Sequence, residues 1–297
     1  MLVDAAGLYF RAFFGVPESV TAPDGMPINA VRGFLDMNAT LIQRRRPSRY
    51  VSCLDLSWRP AFRVALVPSY KAHRVAPGGG EVIPDALVPQ IPVLLDILAA
   101  LGLATAGAEG FEADDVIATL AARDADACEV VTGDRDLMAL ATDRVRVLYT
   151  GRGVAKLEDF GPGEVQERYG VPAAHYADFA ALRGDPSDGL PGVSGVGAKT
   201  AAALVTKFGA VERIVAAALS GDDGFPAGAA AKIRAAQDYL AAAPDVVRGR
   251  TDAPVAEVAD ALPATPADAA ALVELADRYG VEPSINRVLN AIARALG

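Results

Sequence analysis

The 297-residue chain has two cysteines, two histidines and one tryptophan, and aromatic residues make up only 6% of it. Two cysteines cannot build a disulfide scaffold. Cys53 and Cys128 each sit in an apolar run (VSCLDL, ACEVV) and read as small buried hydrophobes in a reducing, cytoplasmic compartment. His73 and His175 have no partners at metal-ligand spacing, which argues against zinc. No basic, then apolar, opening segment marks a signal peptide. The apolar stretch 86–108 carries one charge, Asp96; that carboxylate, with Pro89 and Pro92, predicts a buried helix and not a membrane span. Basic residues are in deficit, 28 Lys and Arg against 37 Asp and Glu, for a net charge of −9. Taken alone, that balance argues against a nucleic-acid partner. What is plentiful is apolar residues, 52% of the chain, at a mean hydropathy of +0.25. Global disorder is excluded, and the core must be built from Ala, Val and Leu.

Short apolar strands at Met1–Val3, Tyr50–Leu54, Cys128–Thr132 and Val145–Tyr149 alternate with helical patterns through the first 150 residues or so. Alternation of this kind predicts an α/β fold with a mostly parallel central sheet flanked by helices. Three of the apolar runs stop at or just before an aspartate: Asp4, Asp55 and Asp134. In parallel sheets, functional groups gather beyond the carboxyl ends of the strands, although a single strand-end Asp also serves as a plain helix cap. Strand signals vanish near residue 165. The expected division is therefore an α/β core over 1–165 and a helical region over 166–297.

Nine carboxylates fall into four groups: Asp4 and Asp55; Glu112, Asp114 and Asp115; Asp134 and Asp136; Asp185 and Asp188. A helix dipole explains one or two acids at a helix start, but not repelling groups that recur at neighbouring strand ends. Packing them together requires a cation. Oxygen donors without a His or Cys cluster point to a hard ion, Mg²⁺ or Mn²⁺. With those nine set aside from the 37 acids, the remaining 28 match the 28 basic residues, so the acidic balance no longer excludes a polyanionic substrate. Two-metal hydrolysis of a phosphodiester, with ions about 4 Å apart, is the natural chemistry of such a set.

A second feature is the run from Gly192 to Thr200, GVSGVGAKT, in which Gly192, Gly195 and Gly197 precede Lys199 and Thr200. It is neither a Walker A loop nor a dinucleotide fingerprint, because the spacing is wrong for the first and no strand precedes it for the second. Between two helices it fits a hairpin grip on a nucleic-acid backbone, blind to sequence. The plainer alternative is a flexible helix start.

With these motifs in place, the chain resembles the 5′ nuclease or flap endonuclease superfamily, which includes the N-terminal nuclease domain of bacterial DNA polymerase I. LVDAAGLYFR, FRVALVPSYKAHR, GFEADD, TGDRDL and GDPSDGLPGVSGVGAKTA carry the resemblance in order. It implies a PIN-like nuclease core, a helical arch at about 56–84 and a helix–three-turn–helix at about 180–210. By the same resemblance, Asp4, Asp55, Glu112 and Asp114 hold one metal. Asp115, Asp134, Asp136, Asp185 and Asp188 surround the second. Lys71 is the active-site lysine, Arg11 and Arg74 are phosphate contacts, and Tyr70 stacks on a base. Arg59 and Arg63 contact phosphates from the arch, unless the basic run is only a solvated loop. A monovalent ion, K⁺, sits on the hairpin carbonyls. The implied partner is DNA with 5′ ends or 5′ flaps, handled by a stand-alone, monomeric, nucleoid-associated enzyme with no membrane contact.

The chain departs from the family at LSWRPAFR, which is one residue longer than usual and carries Trp58, read as local packing or arch surface. It departs again where the family's SDN is SDG, with Gly189. Two other classes remain open: a junction-binding protein without catalysis, and a PIN-type RNA-cutting enzyme, which commonly lacks a glycine hairpin.

Overall fold

The computed structural model describes all 297 residues. Six strands form one sheet: β1 (Leu2–Asp4), β2 (Val51–Cys53), β3 (Ala104–Ala106), β4 (Cys128–Thr132), β5 (Val145–Tyr149) and β6 (Glu158–Phe160). Their order is β3-β2-β1-β4-β5-β6, parallel except for β6, which runs antiparallel to β5. The first three strands step outward one way from β1, and the chain then returns to place β4 on the other side. The switch point therefore lies between the carboxyl ends of β1 and β4, where a doubly wound sheet opens a crevice.

Successive strand residues face opposite sides of the sheet. Leu2 and Val130 pack on one face with Val116 and Ile117 of α5 (Ala113–Arg123). Val3 and Val131 pack on the other with Leu8 of α1 (Ala5–Gly15), Phe34 and Leu41 of α2 (Asn29–Arg45) and Ile97 of α4 (Gln90–Leu101). With both faces covered, the strands are apolar throughout, which is why they read as runs and not as alternations. Cys53 and Cys128 are buried and free, as expected. The apolar 86–108 stretch holds α4 and β3, and no helix is long and apolar enough to cross a membrane.

From Pro162 onward the chain is helical: α6 (Pro162–Tyr169), α7 (Tyr176–Arg183), α8 (Ala198–Phe208), α9 (Val211–Ser220), α10 (Ala229–Ala235) and α11 (Gln237–Val247). The middle helices share a core that includes Phe179, Leu204, Ile214 and Leu240. An extended strap then returns to the α/β core. The Tyr50 N–H donates to the Asp260 carbonyl at 2.7 Å, and the Arg123 guanidinium donates to the Val255 carbonyl at 2.7 Å. The last helices, α12 (Ala269–Tyr279) and α13 (Glu282–Leu296), pack beside α2 and α4 through Leu272, Ile285 and Val288. The residues after about 268 thus belong spatially to the first core, although helical periodicity alone groups them with the second.

The expected arch takes another form. Residues 56–84 hold only the six-residue α3 (Ala61–Leu66), a short helical turn at Ala72–Arg74 and a bridge between Val75 and Glu81. The Arg63 Nε donates to the Val246 carbonyl of α11 at 2.8 Å, which holds this segment down along the wall of the cleft.

Candidate active site

Asp4 ends β1 and caps α1. Its Oδ1 accepts from the Gly7 N–H at 2.7 Å and its Oδ2 from the Thr132 hydroxyl at 3.0 Å. Thr132 also takes the Asp134 N–H at 2.9 Å, so one buried hydroxyl ties the two strand ends at the switch point. Asp55, two residues beyond β2, accepts from the Ala113 N–H at 2.5 Å, which fixes the start of α5 against it. Asp4, Asp55, Glu112, Asp114 and Asp134 line a single cleft, together with Arg11, Lys71 and Arg74. All of these residues were expected at the site.

The cleft holds negative charge at a cost. Burial first, then the Asp55 charge, push the Asp4 carboxyl up to about 6. Burial raises Glu112 to about 7, although Lys71 and Arg63 pull the other way. Asp114 is raised well above the ordinary range by burial and then by Asp134 and Asp4. A second group adjoins the first. Asp136 is buried, Asp134 Oδ1 accepts its N–H at 2.8 Å, and its own carboxyl faces the charges of Asp134, Asp188 and Asp185. Burial and these neighbours raise it well above its usual value, and its Oδ1 has no hydrogen-bond partner. A buried carboxylate oxygen without a donor, among three other acids, is the environment a hard cation stabilises. The residues present therefore fit divalent ions. In this arrangement no three of them form a ready-made metal site, and Asp4, Asp55 and Asp134 accept hydrogen bonds from backbone N–H groups.

Lys71 pairs with Glu112, and its backbone N–H donates to the Asp188 carbonyl at 2.9 Å. Arg74 donates to the Ser187 carbonyl at 2.7 Å and reaches Asp188 at 3.1 Å. The basic segment thus docks on the loop that carries Asp185 and Asp188. Gly189 is central to the docking: its φ is +71°, and a Cβ there would overlap the Ser69 carbonyl oxygen. The departure from SDN to SDG is what lets the two loops close together.

Four expected site residues are placed elsewhere. Asp115 is fully buried and turned away from the cleft. Its carboxylate takes Arg63 Nη1 and Nη2, both at 2.7 Å, the Arg250 N–H at 2.8 Å and the Glu112 N–H at 3.1 Å. Arg63 is 2% exposed, so it reaches no phosphate; it also donates to Glu112 Oε2 at 2.7 Å. Tyr70 is 3% exposed and cannot stack on a base; its hydroxyl donates to Glu112 Oε2 at 2.8 Å. Arg59 turns inward to the Tyr70 and Pro68 carbonyls at 2.6 and 2.9 Å. A buried carboxylate pair needs a buried cation, and the arginine expected in the arch supplies it.

The hairpin lies apart from the cleft. Val193 and Val196 are buried while Gly195, Gly197 and Lys199 face outward and Thr200 is half-buried, so apolar anchors alternate with exposed backbone. Gly192 and Gly195 have positive φ, Gly197 caps α8, and the Gly192 N–H faces the Tyr239 hydroxyl at 3.3 Å. The Lys232 ammonium donates to the Gly195 carbonyl at 2.8 Å. His175 bonds Asp178 at 3.0 Å, outside the site. Thr132 and Trp58 were not expected as site residues, yet Thr132 braces Asp4 and Trp58 lines the cleft. Thr132 stands in TGDRDL and carried a readable signal; Trp58 carried none.

An acid-lined crevice at the switch point of a doubly wound sheet, with an exposed glycine hairpin on the separate helical region, defines a nuclease of the PIN-like α/β class. Residues 1–170 match the N-terminal resolvase-like domain of 5′-3′ exonucleases, and residues 171–270 match the C-terminal SAM fold of the same enzymes. The chain is 53% identical over 308 residues to a 5′-3′ exonuclease of Mycobacterium tuberculosis, covering 98% of this chain and 97% of that one. It is 43% identical over 219 residues to DNA polymerase I of Mycobacterium bovis, covering 72% of this chain and 24% of that one. In fold it is similar to the flap endonuclease of bacteriophage T5, solved with DNA and metal ions, at a TM-score of 0.64 and 17% identity over 100% of this chain and 99% of that one. The chain belongs to the 5′-3′ exonuclease family, and it is a nuclease.

Proposed function

We propose that this nuclease hydrolyses DNA phosphodiester bonds next to 5′ ends and 5′ flaps, reading strand structure and not sequence. The observation that carries this is the meeting of Asp4, Asp55, Glu112, Asp114 and Asp134 with Lys71, Arg74 and Arg11 in one cleft at the switch point. Asp4, Asp55, Glu112 and Asp114 would hold one Mg²⁺ or Mn²⁺, and Asp134, Asp136, Asp185 and Asp188 a second. Bound there, such ions lower the pKa of water and neutralise phosphate charge.

The remaining work falls to the chain. Lys71 is anchored by its backbone, so its ammonium can leave Glu112 for a phosphoryl oxygen without moving the loop. Arg74 and Arg11 supply charge on either side, which stabilises the negative charge that builds in the transition state. The N–H groups of Gly192, Gly195 and Gly197, with Lys199 and Thr200, hold the duplex backbone away from the cut. A potassium ion on the hairpin belongs to the same reading, and it would share the hairpin with Lys232 on the Gly195 carbonyl and with the Val196 N–H on the Val193 carbonyl. A single copy of the chain carries every part.

The test is cleavage of a 5′-labelled flap duplex with Mg²⁺ or Mn²⁺, with Asp134→Ala beside wild type. Cutting near the junction by wild type alone supports the proposal. Tight binding of the flap without cutting by either protein refutes it and leaves a junction binder.

A further inference from the structure

Trp58, the only tryptophan in the chain, stands in the acidic cleft with Asp4, Asp55, Lys71, Arg74 and Glu112. Large aromatic side chains normally bury their area in a core. Trp58 buries only part of its area: it lies outside every hydrophobic cluster of the protein, pairs with no other ring, and stays partly exposed. Nearby aromatics behave otherwise, since Phe62 packs on Phe111 at a centroid distance of 5.8 Å and Arg63 lies over Phe62 at 4.9 Å. The indole N–H has no acceptor in the protein, whereas both flanking residues are pinned. The Ser57 N–H donates to the Phe111 carbonyl at 3.1 Å, and Ser57 Oγ accepts from the Gly110 N–H at 3.0 Å. On the other side Arg59 grips two carbonyls of the 68–70 loop. The ring is held on a braced loop, partly open to the cleft that the carboxylates, Lys71 and Arg74 also line.

We propose that Trp58 is a substrate-positioning residue: its ring stacks on a base flanking the scissile phosphate and sets where along the strand the cut falls. The proposal rests on the nuclease reading above. Stacking suits a cleft that ignores sequence, because every base offers a π-face, whereas the cleft's charged groups can address only phosphate. A bound base also covers the apolar area that the fold leaves open at Trp58. Arg59 and Tyr70 then act as supports, with Arg59 fixing the angle of the Trp58 loop and Tyr70 fixing Glu112.

Because the chain has one tryptophan, its fluorescence reports Trp58 alone. Full-length protein is mixed with a 5′ flap duplex and Mg²⁺ in a stopped-flow instrument, and product formation is followed in parallel. The expected result is a quench that precedes cleavage. Trp58→Ala should raise the enzyme concentration needed for half-maximal single-turnover cleavage by roughly 10- to 100-fold, and Trp58→Phe should recover most of it. The decisive comparison uses flaps that lack the base on one or the other side of the cut. One of the two should bring wild type and Trp58→Ala to the same rate and shift the cut position. A defect in Trp58→Ala that persists undiminished on both abasic flaps overturns the proposal and makes Trp58 a packing residue. Normal binding and cutting by wild type with unchanged fluorescence overturns the stacking alone. A wild type that neither binds nor cuts the flap removes the nuclease reading and the stacking with it.

Discussion

Asp114 and Asp115 are neighbours in the first turn of one helix and meet opposite fates. Asp114 faces the cleft, where burial and the charges of Asp134 and Asp4 disfavour its ionised form. Asp115 faces inward and finds four hydrogen-bond donors arranged around it, from Arg63, Arg250 and Glu112, within 3.1 Å. A turn of about 100° per residue separates the two environments. One carboxylate is left short of partners and is suited to a cation from outside. The other is satisfied by the protein and joins α3, α5 and the strap after α11 into one frame. Glu112 belongs to both sets, since Lys71 meets it from the cleft while Arg63 and Tyr70 meet it from below.

The largest expected effect is on the cleft side. Asp114→Ala should lower single-turnover cleavage by about a thousandfold, several kcal/mol of transition-state stabilisation, while leaving the melting temperature of metal-free protein unchanged or higher. Scanning calorimetry in EDTA beside the cleavage assay checks both halves. On the inward side, Arg63→Met leaves Asp115 charged and unpaired and should cost about 3–5 kcal/mol of stability by urea unfolding. The double variant Arg63→Met/Asp115→Leu should recover most of that loss, because the uncompensated charge is gone.

A smaller effect comes from pH. Asp4 and Glu112 titrate near 6 and 7 in the fold, above the usual carboxylate range of the unfolded chain. The folded state therefore binds more protons than the unfolded one between about pH 4 and 7, so stability falls as pH rises through that window, by about 3 kcal/mol for each group at most. Metal-free protein should melt at lower temperature at pH 8 than at pH 5.5, and saturating Mg²⁺ should reverse the difference. The smallest effect concerns the loop seam. Gly189→Ala forces a Cβ into a left-handed position against Ser69 and should cost about 1–2 kcal/mol, read as faster proteolysis within residues 66–76.

Much of the cleft was legible in the sequence because strand-end position is a local property. Asp4, Asp55 and Asp134 were placed by the apolar runs before them, and the sheet follows from those runs. Orientation within the GFEADD helix start was not legible, since the pattern shows three acids and not which way each one turns. Arg63 and Tyr70 were misplaced for the same reason: in a run of basic residues nothing distinguishes the arginine that is swallowed by a carboxylate pair from one left in water. β3 is Ala-Thr-Ala and β6 is Glu-Asp-Phe, so neither lies in an apolar, β-branched run like those that marked the equally short β1 and β2. The return of α12 and α13 to the first core depends on the strap from Arg248 to Ala267, which has no periodicity to read. Trp58 read as local packing or arch surface because a single aromatic outside any apolar pattern does not show which way it faces.

The measurement that bears most directly on this account is single-turnover flap cleavage against Mn²⁺ concentration for Asp114→Asn and Asp115→Asn, with the melting temperature of each. Asp114→Asn should stay inactive at every concentration and melt no lower than wild type. Asp115→Asn should melt lower yet cut within about tenfold of wild type once metal saturates, as a residue behind the ligands does. Equal loss of cleavage in both variants, with both melting temperatures unchanged, would place the two carboxylates in one role and contradict the division between cleft and frame.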